Sequence, residues 1–141
     1  MRETPEYFYH QSAVIPYRYN NQILEILMIT SRKKKRWVIP KGVIEPHLSA
    51  SDSATKEALE EAGIEGTVSE RPIGSYKYEK WGGTCTVEVY TMKVHTVLDD
   101  WLESYRDREW VNVREAIKRV TEQRLKEILE GLPSFLRSQN T

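Results

Sequence analysis

The sequence predicts an α/β/α sandwich in which a mixed β-sheet is flanked by helices on both sides. Two observations lead to this fold class. Apolar, β-prone runs are bounded by turn residues, and helical stretches lie between those runs and after them. The chain has 141 residues, a length that suits one hydrophobic core. No internal repeat or linker is visible, so we expect a single domain over residues 1–141.

The first predicted elements are a hairpin and a short third strand. The β-prone runs cover residues 12–19, 23–30 and 37–39, and the first two are joined at Asn20-Asn21. Pro16 predicts an edge strand or a bulge in the first run, because proline cannot donate a backbone hydrogen bond. A basic cluster at residues 32–36 precedes the third strand, and residues 42–48 are predicted to form a loop.

A helix is predicted next, with Ser49 as its N-cap, Ala62 as its last residue and Gly63 as its C-terminal stop. Small and apolar side chains cluster on one side of the helical wheel: Ala54, Thr55, Ala58, Leu59 and Ala62. Side chains of this size allow the helix to pack closely against a sheet.

The remaining elements complete the sandwich. They are strands over residues 67–78 and 84–97 joined at Trp81-Gly82-Gly83, an acidic and aromatic loop over 99–106, a strand over 109–111, and helices over 113–120 and 122–132. The last helix has one apolar stripe, formed by Leu125, Ile128, Leu129 and Leu132.

The composition argues against several classes of protein. Lysine plus arginine number 21, the same as aspartate plus glutamate, and this balance argues against a dedicated nucleic-acid binder. The single cysteine, Cys85, cannot form an internal disulfide or a cysteine-based zinc site. No apolar run reaches the ~18 residues that span a bilayer, and the first ten residues lack the apolar core of a signal peptide. We therefore expect a cytoplasmic protein without a membrane partner.

Three glutamates on the first predicted helix carry the functional prediction. Glu57, Glu60 and Glu61 fall on one side of the helix, and we call them the carboxylate face. None of them has a lysine or arginine four residues after it, so the face is either solvated or holds a cation. Oxygen ligands of this kind suit Mg²⁺ or Mn²⁺. The sequence has no G-x-x-x-x-G-K-[ST] loop, which argues against an ATP-driven motor or kinase of that type.

The region around the carboxylate face resembles the signature of the Nudix hydrolases. That signature reads glycine, five residues, glutamate, seven residues, then Arg-Glu-apolar-any-Glu-Glu-any-Gly-apolar, and it matches from Gly42 to Gly63 without insertion. The flanking Trp37-x-x-Pro-Lys-Gly and Arg108-Glu-Trp segments also match in position. The chain departs from the pattern twice: Leu48 stands in place of the first glutamate, and Lys56 in place of the arginine.

The resemblance implies roles for individual residues. Glu57 and Glu61 are expected to be ligands of Mg²⁺ or Mn²⁺, and Glu60 is expected to accept the proton of the attacking water, although family members differ in the base they use. Gly42 closes the loop, and its backbone is expected to approach the metals or the substrate phosphates. Glu45 is a further candidate oxygen ligand.

The substrate expectation also comes from the resemblance. Residues 44–46, 98–101 and 108–117 are most similar to diphosphoinositol polyphosphate and diadenosine polyphosphate phosphohydrolases. Four residues fall where those enzymes contact substrate phosphates: Ser31, Arg32, Lys80 and Arg106. Lys41 is typical of the diadenosine polyphosphate branch. Enzymes for inositol pyrophosphates have a basic triplet where this chain has Tyr9-His10-Gln11, so a nucleotide-type diphosphate is favoured. Trp81, Tyr78 and Tyr105 are each candidates to stack on its base.

Two functions remain open at this stage. The first is a metal-dependent hydrolase of a nucleoside diphosphate-linked or dinucleoside polyphosphate substrate. The second is a Nudix-fold module that binds a phosphorylated ligand with weak or no catalysis, and Leu48 and Lys56 motivate it. The alternative to phosphate binding by residues 32–36, Lys80 and Arg106 is that they are solvated surface charges. The family also leads us to expect a homodimer, although no stretch of the sequence marks an interface.

Overall fold

The computed structural model of the protein describes residues 3–139 and centres on a sheet of eight strands within that range. The strands are β1 (His10–Asn20), β2 (Ile23–Thr30), β3 (Trp37–Val38), β4 (Lys41–Val43), β5 (Ile64–Val68), β6 (Gly74–Lys80), β7 (Gly83–Val97) and β8 (Arg108–Asn112). The α-helices are α1 (Ala50–Glu57), α2 (Val113–Arg119), α3 (Gln123–Glu130) and α4 (Leu132–Gln139). A 3₁₀ turn, Glu6–Tyr9, precedes β1, and a π-helical turn, Ala58–Ala62, extends α1.

The sheet is mixed, as predicted. Its main strand order is β3-β2-β1-β7-β5, with β1 parallel to β7 and the other pairs antiparallel. Three strands pair outside this path: β4 with β1, β6 with β7, and β8 with β2. Strand β7 is 15 residues long, which lets it pair with β6 through its first half and with β5 through its second.

Helices cover both faces of the sheet, so the predicted α/β/α sandwich is confirmed. One face packs against α1 and the π-helical turn through Ala54, Ala58 and Ala62, all fully buried. The other face packs against α2, α3 and α4, and the predicted stripe Leu125, Ile128, Leu129 and Leu132 lies in that core. Side chains alternate along β1, so that Val14 faces α1 while Ala13 and Ile15 face the opposite layer.

The prediction for Pro16 is wrong, because β1 lies inside the sheet rather than at its edge. Pro16 is buried and lies opposite Met92 in the parallel ladder with β7. On the other side of β1, the ladder with β4 ends at Ala13 and the ladder with β2 begins at Tyr17. Val14 donates to a carbonyl on that side, so the nitrogen of Pro16 also faces the gap between the two ladders. No ladder hydrogen bond is lost there.

Several element boundaries also differ from the predictions. The single strand expected over residues 67–78 is two strands, β5 and β6, separated by a bend that contains Pro72. Strand β4 occupies the start of the predicted loop 42–48, and the 3₁₀ turn and α4 were not predicted. The predicted helix start is confirmed, since Ser49 Oγ accepts from the Asp52 amide at 3.0 Å. Among the described residues, no helix combines the length and the apolar character needed to cross a bilayer.

Candidate active site

A cavity of about 560 Å³ opens beside the carboxylate face. Most residues that the sequence singled out for the site line it: Ser31, Arg32, Lys41, Gly42, Glu57, Glu60, Glu61, Tyr78, Lys80, Trp81 and Arg106. Glu45 and Tyr105 are not among the residues that line it. The wall therefore has an acidic side, from α1 and the π-helical turn, and a basic side, from the segment after β2 and from strands β4 and β6. Such a cavity can hold an anionic ligand together with a cation that neutralises the carboxylates.

Glu57 and Glu61 are half-buried members of the carboxylate face. Burial, aided by the charge of Glu60, raises the pKa of Glu57 to about 7. Burial, aided by the charge of Glu57, raises the pKa of Glu61 to about 8. Neither carboxylate has a lysine, arginine or histidine nitrogen within 4.0 Å among the residues that the structure describes. Both therefore lack the positive partner that a buried carboxylate needs in order to stay ionised.

The backbone of β4 holds these two carboxylates in place. The Lys41 amide donates to Glu61 Oε1 at 3.3 Å. At the next residue, a β-carbon on Gly42 would overlap with the Glu57 carboxylate. A side chain at this position would have to displace the Glu57 carboxylate. The glycine of the Nudix signature therefore makes room for the second carboxylate.

The end of the carboxylate helix is held by the loop of residues 98–108, which we call the helix clasp. Four successive carbonyls accept hydrogen bonds of 2.8–3.0 Å from it: Glu60 from the Glu103 amide, Glu61 from the Trp101 indole, Ala62 from the Arg108 guanidinium and Gly63 from the Leu98 amide. Carbonyls at the end of a helix have no N–H partner within the helix, and the clasp donates the hydrogen bonds that these four would otherwise lack. It thereby fixes the orientation of the last turn, which carries Glu60 and Glu61.

Lys56 links the helix to the preceding loop. Its Nζ donates to Glu45 Oε1 at 2.9 Å and lies 3.8 Å from Glu60 Oε2. Glu45 lies outside the main cavity, paired with Lys56 and 3.9 Å from His47 Nε2. Leu48, the other departure from the signature, is half-buried and adds no carboxylate. The single charge of Lys56 therefore serves two carboxylates, where an arginine has a fork of donors.

On the basic side, Lys41 is the most firmly positioned cation. Its Nζ donates to Tyr78 Oη at 3.1 Å and lies 4.7 Å from the centre of the Tyr78 ring. Tyr78 in turn donates to Gln11 Oε1 at 2.7 Å. Burial lowers the pKa of Lys41. Arg32 and Lys80 are exposed at the cavity mouth, where both can move toward a ligand.

Arg106 differs from the other cations because each of its three side-chain nitrogens already donates to a protein oxygen. It is only 7% exposed, and its guanidinium donates to Glu103 Oε1 at 2.9 and 3.1 Å and to the Thr30 carbonyl at 2.9 Å. The structure thus places it in the cavity wall with its donors engaged by protein oxygens. Direct contact with a substrate phosphate stays a prediction.

Sequence reasoning missed one charged residue of the cavity, Glu103, and considered another, Arg36, only as part of the basic cluster of residues 32–36. Glu103 belongs to the acidic loop that was recognised as a loop only, and its charge helps to raise the pKa of both Glu57 and Glu61. Arg36 belongs to the basic cluster and donates to Thr121 and Glu122 at 3.0 and 3.3 Å. The position of Glu103 had no signal in the sequence, because long-range folding brings it to the site.

The donor set of the cavity fits a hard divalent ion. Within residues 3–139, no group of three or more histidine, cysteine, aspartate or glutamate side chains is gathered tightly enough to form a complete metal site. The carboxylate face nevertheless offers oxygen atoms only, in one cavity, and Glu57 and Glu61 are half-buried there without an ion-pair partner in the described part of the chain. Mg²⁺ and Mn²⁺ prefer this chemistry and keep water and phosphate oxygens in their remaining positions.

Comparison with known proteins identifies the family. The family described as NUDIX domain matches residues 9–132. Nudix hydrolase 12 of Arabidopsis thaliana, a mitochondrial protein, is 34% identical over 67% of this chain, which spans 51% of that relative. Diphosphoinositol polyphosphate phosphohydrolase 3-beta of Bos taurus is 33% identical over 81% of this chain and 70% of its own length. The chain therefore belongs to the NUDIX domain family.

Solved structures support the same fold. An Ap4A hydrolase of C. elegans, in a binary complex, superposes with a TM-score of 0.79 at 23% identity, covering 92% of this chain and 98% of its own. The E. coli ORF135 protein, solved in solution, gives a TM-score of 0.68 at 21% identity over 92% and 91% of the two chains. At these identities the likeness establishes the Nudix fold.

Proposed function

We propose that this protein hydrolyses a phosphoanhydride bond in a nucleoside diphosphate-linked or dinucleoside polyphosphate substrate, with Mg²⁺ or Mn²⁺ as cofactor. The observation that carries the proposal is the pair of half-buried carboxylates, Glu57 and Glu61, that face basic side chains across one cavity without an ion-pair partner of their own among the described residues. A divalent ion and a diphosphate together satisfy both sides of that cavity.

Glu57 and Glu61 would hold the ion. When bound, the ion neutralises phosphate charge and lowers the pKa of a coordinated water. The β4 backbone keeps the two carboxylates in place through the Lys41 amide and the absent side chain of Gly42. Their raised pKa values indicate that they release their protons when the ion binds, as ligand carboxylates do.

Glu60 would accept the proton of the attacking water, since it is the one member of the carboxylate face that the ion does not require. Lys41, Arg32 and Lys80 would bind the phosphate oxygens from the opposite side. Lys41 would act from a fixed position on Tyr78, whereas the two exposed cations would close onto the ligand. Catalysis of this kind depends on positioning and on electrostatic stabilisation.

The N-terminal end of β1 supports a nucleotide rather than an inositol substrate. Tyr9 donates to the Trp81 carbonyl at 2.8 Å, Gln11 is buried against Tyr78, and His10 lies 3.9 Å from Glu6. This segment offers no row of cations to a heavily phosphorylated inositol ring. The relatives divide on this point, since the bovine protein is named for diphosphoinositol polyphosphates and the worm protein for Ap4A.

A binding module without turnover is the second candidate. Leu48 and Lys56 weaken the Nudix signature, and the described carboxylates do not form a complete metal site by themselves. Such a module would hold a phosphorylated ligand through the basic side of the cavity, independently of a metal ion.

Hydrolysis assays separate the two candidates. Phosphate or mononucleotide release should be measured from nucleoside diphosphate sugars, dinucleoside polyphosphates and diphosphoinositol polyphosphates, with Mg²⁺, Mn²⁺ or a chelator. We expect metal-dependent release that falls about 100- to 10,000-fold in Glu60→Gln and steeply in Glu61→Gln. Glu130→Gln, at an exposed position on α3, is the matched control. Full activity in both cavity variants, or binding in chelator without turnover of any substrate, would reject the proposal.

The compartment and the oligomeric state stay predictions of the sequence. We propose a cytoplasmic protein because its single cysteine forms no disulfide, although one relative is named as mitochondrial. Fractionation of the cells that make the protein would test the compartment, and light scattering would test the expected homodimer.

A further inference from the structure

We propose that the indole ring of Trp81 binds the planar base of the substrate, and so makes the cavity selective for nucleotides. This inference rests on the proposed function and names the part of the substrate that lies beyond the phosphates. Trp81 lines the cavity at its mouth and is 39% exposed, which leaves indole surface open to a ligand.

The backbone at Trp81 is in a conformation that tryptophan rarely adopts. The pairing of Lys80 with Gly83 leaves Trp81 and Gly82 as a two-residue turn between β6 and β7. Their φ angles are +55° and +73°, the left-handed combination of a type I′ turn. Asparagine, aspartate and glycine suit the first position of that turn, whereas a bulky side chain there is a true outlier. The turn by itself therefore gives no reason for a tryptophan.

Aromatic neighbours hold the indole in place. The rings of Phe8 and Tyr9 lie 5.3 and 6.0 Å from it, centre to centre, and Tyr9 Oη donates to the Trp81 carbonyl at 2.8 Å. Both come from the 3₁₀ turn ahead of β1, so a second segment of the chain fixes the ring at the cavity mouth. A preorganised aromatic surface loses little entropy when it binds a flat ligand.

The position of the ring suits a nucleotide bound through its phosphates. Lys80 Nζ lies 4.6 Å from the centre of the Trp81 ring, so a cation and an aromatic surface are adjacent at the cavity wall. The other two aromatic candidates are less suited. Tyr78 is half-buried and its hydroxyl is bonded to Lys41 and Gln11, and Tyr105 is absent from the cavity lining among the described residues. A base on Trp81 therefore leaves its phosphates to extend toward the carboxylate face.

Calorimetry with two probes tests the inference. α,β-Methylene-ADP carries a base and a non-hydrolysable diphosphate, whereas methylenediphosphonate carries the diphosphate alone. Both are titrated in Mg²⁺ into the wild type, Trp81→Asn, Trp81→Phe and the control Tyr19→Ala, an exposed aromatic at the opposite hairpin. Asparagine suits the left-handed turn, so Trp81→Asn removes the ring without straining the backbone.

We expect Trp81→Asn to weaken binding of the nucleotide analogue by about 5- to 150-fold, the range for loss of one base–aromatic stack. Trp81→Phe should retain most of the affinity, Tyr19→Ala all of it, and methylenediphosphonate should bind equally to every variant. The nucleotide analogue should quench the tryptophan fluorescence of the wild type more than that of Trp81→Phe. This measurement does not depend on Trp81→Asn.

Three outcomes would overturn the inference. In the first, the wild type binds the analogue no better than methylenediphosphonate. In the second, Trp81→Asn binds both probes as the wild type does. In the third, it loses both probes equally. If any of these three outcomes occurs while the wild type still hydrolyses its substrate with metal, only the base-binding role of Trp81 is rejected. A wild type that binds neither probe in Mg²⁺ rejects the proposed function as well.

Discussion

The guanidinium of Arg108 lies 3.7 Å from the centre of the Trp101 ring, and both side chains donate to carbonyls at the end of the carboxylate helix. Arg108 also donates to the Leu98 carbonyl at 2.9 Å, so one side chain joins both ends of the helix clasp. The Arg-Glu-Trp segment that follows the Nudix signature in the sequence therefore has a structural role that its position alone did not reveal.

Removal of the Arg108 guanidinium should destabilise the fold. Arg108→Met keeps the length of the side chain but leaves two half-buried carbonyls without their donor, which should lower the free energy of unfolding by about 1–3 kcal/mol. Urea denaturation measures the change. Arg114→Met, at an exposed position on α2, is the control and should stay within about 0.5 kcal/mol of the wild type. Equal stability of the two variants would show that the clasp is not needed.

A side chain at position 42 should disable the proposed site. Gly42→Ala places a methyl group where the Glu57 carboxylate lies, so that the carboxylate or the strand must move. Displacement of a reacting group by about 1 Å can cost about 100-fold in rate, and we expect a loss of that order in hydrolysis. Gly131→Ala serves as the control, because a β-carbon there meets only ordinary contacts. An active Gly42→Ala enzyme would contradict the packing argument.

The stability of the metal-free protein should depend on pH. Burial raises the pKa of Glu57 and Glu61 from 4.5 to about 7 and about 8. Above pH 4.5 the unfolded chain releases protons that the folded chain retains up to about pH 7 to 8. The two groups therefore contribute their full stabilisation below about pH 4.5 and lose it as the pH rises through 7 to 8.

Denaturation in chelator at several pH values tests this dependence. The fall in stability toward high pH should be smaller in Glu61→Gln, which cannot ionise, and smaller in the wild type with Mg²⁺, which binds the ionised form. Identical pH profiles for the wild type and Glu61→Gln in chelator would show that the Glu61 carboxyl does not carry the effect.

Restoring the family residue at position 56 should strengthen the site. Lys56 divides one ammonium between Glu45 and Glu60, at 2.9 and 3.8 Å. An arginine can donate to both carboxylates at once through its fork, so we expect Lys56→Arg to raise hydrolysis by a few fold, roughly the effect of 1 kcal/mol. Lys118→Arg, at an exposed position on α2, controls for the substitution itself. Lower activity in Lys56→Arg would indicate that the lysine is an adaptation of this chain.

The carboxylate helix could be predicted from the sequence because its signals are local. Ser49, Gly63 and the small side chains facing the sheet all act within one stretch of chain, and the structure confirms the helix start and the left-handed stop at φ +64°. The spacing of Gly42 to the carboxylates was visible in the same way. Its physical reason, the overlap with Glu57, needed the packed structure.

The errors arose where tertiary contacts override local signals. Pro16 was expected at an edge or a bulge because the gap between the β2 and β4 ladders cannot be seen in one strand. Glu103 carried no signal because the clasp brings it to the cavity from another part of the chain. The turn at Trp81 was predicted, but its aromatic support depends on Phe8 and Tyr9, which lie far away in sequence.

The helix clasp also bears on the order in which the protein assembles. The bond from Trp101 to the Glu61 carbonyl joins residues 40 positions apart, so the last turn of the helix obtains its partners only after a long segment of chain has been added. Contacts of this range form late, because closing a long loop costs entropy before any contact offsets it. During synthesis, the carboxylates should therefore reach their final arrangement only once the chain up to and including Arg108 has left the ribosome.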